Sequence, residues 1–377
     1  MREGWTYKKL NEVCDKSSSN IVINKLDDNN GDYPLFGGSG LVRNVDFYHQ
    51  DKPYIGIVKD GAGVGRVNTY PAYSSLVGTM QYIFPKEECL LNYVKYFLVK
   101  LDLSHCVSGA TIPHIYFKDY GKELIPIPPL STQLSIVSEL DKINELIRLK
   151  KEQLKDYDNL AQSIFYEMFG DPVVNEKGWE VKKLGELSDL ICNGNTPKGG
   201  SEVYVDTGFL FLRSQNVWKN RIELDDVAFI DESTHKSLKK SSLKHNDLLI
   251  TKTGRINTEN SSLGRTALFE GEDNSANING HVYLVRLKDG MVHKFVLYIL
   301  ISNSYRELIR KTCVGGIDKR QLNKDHIEDF PIIFPPIELQ KKYVERIELI
   351  EKQKDQVRST IQALETLLAS RMQYWFD

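Results

Sequence analysis

Two long ladders of apolar residues dominate the hydropathy pattern of the chain. After Pro129, apolar side chains fall at Ile136, Leu140, Ile143, Ile147, Leu154, Tyr157, Ala161, Ile164 and Met168, with Lys150 filling the one skipped position. After Pro336 the pattern returns at Tyr343, Ile347, Ile350, Val357, Ile361, Leu364, Leu368 and Trp375, interrupted at Lys354 and Arg371. A 3.5-residue period sustained over about five heptads is a coiled-coil seam, narrower than the apolar face of a globular helix. Pro128-Pro129 and Pro335-Pro336 mark the starts, because proline is tolerated in a first helical turn but not inside a helix. Gly170-Asp171-Pro172 stops the first helix. Each helix is about 40 residues long, or roughly 60 Å. Two matching ladders in one chain predict intramolecular antiparallel pairing. The predicted register sets Lys150 opposite the region of Gln356 and Lys354 opposite Glu152, each lysine fixing the alignment at some cost in stability.

The segments before the helices have a different texture. YPLFGGSG from Tyr33, YIGIVKDGAGVG from Tyr54, FLFLRSQNV from Phe209, LLITKTG from Leu248 and GHVYLVRL from Gly280 mix aromatic and β-branched residues with glycine turns. They predict strand-rich, loop-rich domains. A short helix is predicted near Leu91–Leu101, with its partner near Val292–Lys311.

The whole plan occurs twice. GWTYKKLNEV at Gly4–Val13 returns as GWEVKKLGEL at Gly178–Leu187, an offset of 174. The proline-rich block at Ile125–Leu140 returns at Pro331–Ile347 with an offset of 207, which aligns Gln133 with Gln340 and Ser108-Gly109 with Gly315-Gly316. Constant borders around unlike centres indicate one architecture doing two different jobs. The predicted fold is α+β with an internal pseudo-twofold repeat. Two mixed α/β domains, residues 1–129 and 171–336, are joined by two long antiparallel coiled-coil helices, residues 130–170 and 337–377.

Composition narrows the function. At 377 residues, with 41% hydrophobic and 27% charged, the chain is long enough for two or three folded domains. Forty-nine basic against 51 acidic residues give a net charge of −2, which excludes a uniformly basic nucleic-acid coat but not local basic loops. The five cysteines are scattered without a CxxC pair, as expected in a reducing cytoplasm. The longest clean apolar run, Phe295–Ile301, is too short to span a bilayer, and the opening MREGWTYKKL lacks a signal-peptide apolar region. The expectation is a soluble cytoplasmic protein with no membrane partner.

Several apparent catalytic motifs fail on inspection. Asp60-Gly61-Ala62-Gly63-Val64-Gly65 follows an apolar run but leads into RVNTYPAYSSLV, which carries a proline and no helical period. It therefore reads as a turn between strands and not as a phosphate loop opening a helix. No GxxxxGK[ST] motif exists. Asp171, Glu180 and Lys182 loosely imitate a metal-nuclease triad, yet the first copy has Thr6 in place of Glu180. The eight histidines include no HxH or HExxH spacing, so neither a metal site nor an enzyme active site is expected in this chain.

The repeated GW-x-x-KKL opening resembles, together with the SGATIPHI…LIPIPPLSTQLSIV ending, its copy VGGIDKR…FPIIFPPIELQKKYV and the paired helices, the specificity subunit of type I restriction–modification systems. The resemblance covers essentially the full length. It implies that each variable segment is a target recognition domain reading one half of a split site in double-stranded DNA. It further implies that the helices set the spacing and dock two modification (methyltransferase) subunits. Restriction/translocase subunits complete the implied assembly, and S-adenosylmethionine, ATP and Mg belong to those partners, with no cofactor in this chain. The second copy departs from the pattern, since Thr111-Ile112-Pro113 becomes Asp318-Lys319-Arg320.

A protein of this charge must bind DNA through a few loops. Glycine admits close backbone approach to phosphate, while Arg, Asn and Gln address base edges with paired hydrogen bonds. The candidates in the first copy are Gly38, Ser39, Arg43 and Asn44, then Lys59 and Arg66, then Thr111 and His114. Those in the second are Arg213, Gln215 and Asn216, then Lys252, Arg255 and Arg265, then Lys319 and Arg320. The alternative for each is a solvated turn residue.

Overall fold

The computed structural model describes every residue except 1, 3, 27, 28, 110, 257, 259, 317 and 318. Asp318 thus lies outside the described residues. The chain divides into two compact units, residues 1–154 with 356–377, and residues 155–355. Each unit therefore takes the beginning of one long helix and the end of the other.

The repeated borders form the same antiparallel strand pair in both units. Thr6–Lys9 pairs antiparallel with Leu124–Ile127, setting Tyr7 opposite Pro126, Lys8 opposite Ile125 and Lys9 opposite Leu124. Val181–Lys183 pairs with Pro331–Ile333, setting Val181 opposite Ile333, Lys182 opposite Ile332 and Lys183 opposite Pro331. Offsets of 174 and 207 convert one register into the other, residue for residue. The strand following KKL in each copy then enters a four-stranded antiparallel sheet. In the first unit this sheet orders Cys14–Ser18, Met80–Pro85, Tyr54–Val58 and Val67–Tyr70. In the second it orders Ser188–Asn193, Val282–Leu287, Leu248–Thr251 and Thr266–Leu268. The central strands Tyr54–Val58 and Leu248–Thr251 are buried at every position, as continuous apolar runs require.

The predicted helix at Leu91–Leu101 is present. Its counterpart differs from the single predicted helix over Val292–Lys311. It is two helices, His293–Leu300 and Asn303–Thr312, because the Ser302 hydroxyl accepts from Tyr305 N at 3.3 Å and starts a new helix there.

The long helices run from Leu130 to Phe169 and from Ile337 to Phe376. Their starts owe as much to glutamine as to proline. The fully buried Gln133 side chain accepts from Leu90 N at 2.9 Å and donates to Glu88 O at 2.8 Å and Pro128 O at 3.0 Å. Gln340, equally buried, donates to Pro335 O at 2.7 Å. Gly170, at φ +75°, ends the first helix in the left-handed conformation, with its N–H on Tyr166 O.

Two sequence expectations about the seam are corrected. Within the second unit Lys354 meets Asp158 and not Glu152, six residues further along the opposing helix. Lys150 does not take part in the register, since its ammonium donates to Gln153 Oε1 on its own helix. Near the helix ends the buried positions also step by one, to Phe165 and Phe169 instead of Ile164 and Met168, and to Met372 and Phe376 instead of Arg371 and Trp375. The cause of both is the aromatic anchors. Phe169 packs at 4.9 Å from Phe295 and 5.5 Å from Tyr343 between ring centres, and Phe376 packs at 5.2 Å from Tyr93 and 5.9 Å from Phe97. A fully buried aromatic ring is worth several kcal/mol, far more than alignment of a single lysine. A straight helix also drifts about 20° per heptad from a 3.5-residue seam, so the ends rotate into the domain cores.

Candidate nucleic-acid interface

In the second unit, four of the predicted residues meet around one open cleft. Gln215, Arg255, Arg265 and Lys319 line a concavity of about 730 Å³ together with Trp218, His281 and the hydroxyl-rich segment Ser261-Ser262. Four separate stretches supply these side chains. The first is the turn before the Val217–Trp218 strand with Trp218 itself, the second is the loop after Leu248–Thr251, the third is the segment leading into Arg320–Gln321, and the fourth is the turn before Val282–Leu287, which carries His281. Backbone pairing fastens the third to the second, with Thr253 opposite Gln321 and Gly254 opposite Arg320.

Arg265 is held from three sides. Its guanidinium carbon lies 3.7 Å from the centre of the Trp218 ring. Its Nε donates to Ser261 O at 3.0 Å, and Nη2 donates to Asn260 O. A guanidinium held by a ring face and two carbonyls loses little entropy when it binds a planar acceptor. Burial lowers its pKa from the ordinary value, though not enough to discharge an arginine. Gly264 must remain glycine, since it adopts φ +69° and an added Cβ would meet Ile309 at 2.8 Å.

Other predicted residues in this unit are committed to the protein itself. Asn216 is buried, donating to Glu223 O and Asp226 O at 3.0 Å each and accepting from Arg213 N at 2.9 Å. Arg213 donates to Asp226, whose carboxylate also accepts from Gln215 Nε2. Arg320 reaches Cys313 O at 3.5 Å, and its Nε is buried without a partner among the described residues. The Lys252 ammonium sits 5.8 Å from the Tyr283 ring centre. Arg255 and Lys319 are exposed.

The first unit builds its counterpart on Asp60. Residues 59–61 pair with residues 113–115, Gly61 N donating to Pro113 O and Ile115 N to Lys59 O. Asp60 then bonds the Lys59 ammonium and, at 3.0 Å, His114 Nδ1. Burial alone would raise the Asp60 carboxyl, but the Lys59 and His114 contacts outweigh it and hold the group below its ordinary value. The His114 loop closes on itself, with Ser108 and His114 exchanging backbone bonds of 2.9 and 2.7 Å. Val314–Gly315 pairs with Arg320–Gln321 in a similar closure whose register is shifted by one from the 207 offset. The backbone device is therefore common to both units although the SGATIP wording is not. Thr111 and Arg66 are exposed. Arg43 is occupied, donating to Leu26 O and Asn29 O at 2.6 Å each and to Asn30 Oδ1 at 2.9 Å. Gly38 and Ser39 form the tip between Tyr33–Gly37 and Gly40–Val45, and Asn44 is exposed opposite Pro34. Sequence reading missed Trp218. Its neighbours Arg221 and Arg265, 44 positions apart in the chain, gave no local signal.

Among the described residues there is no His, Cys, Asp and Glu grouping fit for a metal ion, and no helix long and apolar enough to cross a membrane. The five cysteines are free thiols. The chain is similar to the MjaVIII type I restriction enzyme specificity subunit of Methanocaldococcus jannaschii, at 24% identity over 78% of this chain and 73% of that protein. Its fold is that of the type I restriction–modification S subunit from M. genitalium, with a TM-score of 0.56 at 16% identity, covering 99% of this chain and 96% of that one. A solved chain of a type I R-M system, described for its complex assembly and conformational transition, gives a TM-score of 0.57 at 19% identity over 100% and 98% of the two chains. The model of the type I restriction modification DNA specificity domain matches residues 2–156 and again 176–366, and with both copies matched the chain belongs to that family.

Proposed function

We propose that this chain is the DNA specificity subunit of a type I restriction–modification assembly, in which each unit reads one half of a bipartite site in double-stranded DNA. The observation that carries the reading is one antiparallel pair of border strands, repeated in matching register, in two units whose loops are unlike. One frame with two different surfaces is what a split, asymmetric target requires. The first surface carries Lys59, Arg66, Thr111 and His114, and the second carries Gln215, Arg255, Arg265 and Lys319 around their cleft. Long helices of about 60 Å suit a spacer between half-sites and offer a surface to modification subunits. Methyl transfer and ATP-dependent cleavage belong to those partners, which bring S-adenosylmethionine, ATP and Mg, so this chain is a non-catalytic reader working in the cytoplasm.

The test exchanges most of one surface, all but the loop that carries Thr111 and His114, and keeps the frame. Replacing Cys14–Val107 with the matching segment of a relative leaves Gly4–Leu10 and Pro128–Gln133 intact. The hybrid, assembled with its modification subunits, is expected to methylate a site with one new half and one old half. Mapping methylated bases in the host genome decides it. Change in both halves, or in neither, would refute one unit per half-site.

A further inference from the structure

We infer that Glu351, on the second long helix, is a positioning residue for DNA recognition, acting through Asn220 and Tyr298 on the Trp218–Arg265 stack of the second unit. The inference rests on the proposed function and adds a residue that touches no part of the cleft. Glu351 Oε1 accepts three side-chain donors, from the Tyr298 hydroxyl at 3.0 Å, from Lys354 Nζ at 3.0 Å and from Asn220 Nδ2 at 3.4 Å. Asn220 Nδ2 also lies 3.4 Å from the Tyr298 oxygen. Tyr298 belongs to the helix His293–Leu300, and Asn220 forms the turn between the paired strands Val217–Trp218 and Arg221–Ile222. One carboxylate oxygen thus gathers the coil, a domain helix and a hairpin turn.

The turn leads directly to the cleft. Trp218 is two residues before Asn220, and the Asn220 N–H donates at 2.9 Å to Thr266 O, immediately after Arg265. Asn220 itself holds φ +58°, a left-handed conformation that asparagine tolerates and that a surrounding network must maintain. Burial, and next the Glu351 carboxylate, raise the Tyr298 phenol well above its ordinary value, so the hydroxyl keeps its proton and donates. Among the described residues the first unit has a partial counterpart. There Tyr96, on the helix Leu91–Leu101, donates to Asp141 on the first long helix, but Asn144 stands where the 207 offset places Glu351 and its amide donates to Tyr96 instead. The first unit's latch therefore ends on the helix and carries no hairpin turn. Glu351 is specific to the second surface.

The test uses the full chain assembled with its modification subunits. The probe is a duplex carrying the mapped methylation site, with single-base changes in either half. Asn220→Gly removes the amide while keeping the left-handed turn, Glu351→Ala removes the hub, and Glu351→Gln keeps its acceptor oxygen. Expected are about tenfold losses of discrimination in the half read by the second unit for Asn220→Gly and Glu351→Ala, a tenfold loss corresponding to about 1.4 kcal/mol. Discrimination in the other half should be unchanged, and Glu351→Gln should restore most of the loss. Equal loss in both halves would mean a merely structural residue and overturn the inference, as would unchanged discrimination in Asn220→Gly and Glu351→Ala. A wild-type complex without any sequence preference would instead overturn the function on which the inference rests, and it would do so before any variant is compared.

Discussion

Lys354 places its ammonium 2.8 Å from Asp158 Oδ1 on the opposing helix and 3.0 Å from Glu351 Oε1 on its own. The lysine is only 6% exposed, whereas the Asp158 side chain is 66% exposed. Its carbon stem therefore fills the seam where an apolar residue belongs, and its charge leaves water for one exposed and one shielded carboxylate. Replacing such a cation by a hydrophobe of similar size removes the desolvation cost while Asp158 stays hydrated. Lys354→Leu is expected to hold or raise stability by about 1 kcal/mol, and Lys354→Ala to lower it by about 2 kcal/mol through the cavity it leaves. Thermal unfolding measures both. A Lys354→Leu variant that melts well below wild type would show that the ion pair stabilises the seam. Lys150→Leu should leave the register untouched, because among the described residues the Lys150 ammonium bonds to Gln153 on its own helix.

The two border glutamines should not be equivalent. Gln133→Leu strands the buried Pro128 O and the half-buried Leu90 N and Glu88 O, whereas Gln340→Leu strands the buried Pro335 O. Each stranded group costs about 1–3 kcal/mol before solvent or rearrangement relieves part of it. The expected losses are about 3 kcal/mol for Gln133→Leu and about 1 kcal/mol for Gln340→Leu, read from urea denaturation. Equal losses would mean that the three-way bonding of Gln133 contributes nothing extra.

These glutamines also show what a single sequence discloses. Their shared place after the double proline was legible, as were the border repeats, the strand cores and the full extent of both helices, because each is a local or periodic signal. The register was not. It is decided by Phe169 against Phe295 and Phe376 against Tyr93, contacts between residues more than 120 positions apart, whereas the midpoint lysines were the visible irregularity. The loops divide in the same manner. Arg, Asn and Gln residues mark both a reader and an internal brace, and composition cannot separate Arg265, stacked on Trp218 in the cleft lining, from Arg43 and Asn216, which brace other segments.

The Asp60 cluster gives a pH signature with a definite sign. The Asp60 carboxyl is held below its ordinary value of 3.8, so in acid the unfolded chain binds the proton more readily than the folded one. Its contribution to stability is therefore present in full above about pH 3.8 and is lost as the pH falls through the lower folded value. Asp60→Asn lacks this carboxylate altogether. The difference in melting temperature between wild type and Asp60→Asn should shrink as the pH falls below about 4. A difference that grows on acidification would reverse the assigned direction.

Arg265 and Lys319 line the same cleft but should fail in different ways when replaced. Arg265 is fixed in plane by Trp218 and by the carbonyls of Ser261 and Asn260, which suits it to a planar, two-point acceptor such as a guanine edge. A lysine there keeps the charge and loses the plane. Arg265→Lys should therefore cost about 1–3 kcal/mol against the cognate site, relax preference at one base pair, and leave the salt dependence nearly unchanged. Lys319 is exposed, and a point charge on a long stem suits a phosphate. Lys319→Ala should weaken binding to all sequences alike and reduce the slope of log affinity against log salt by about one. Titrations of the assembled complex from about 50 to 200 mM salt, on cognate and single-base-changed duplexes, separate the two behaviours. Relaxed base preference with Lys319→Ala, or a changed salt slope with preserved preference in Arg265→Lys, would exchange the two roles and move the base-reading contact from the Trp218 platform to the exposed Lys319 edge of the cleft.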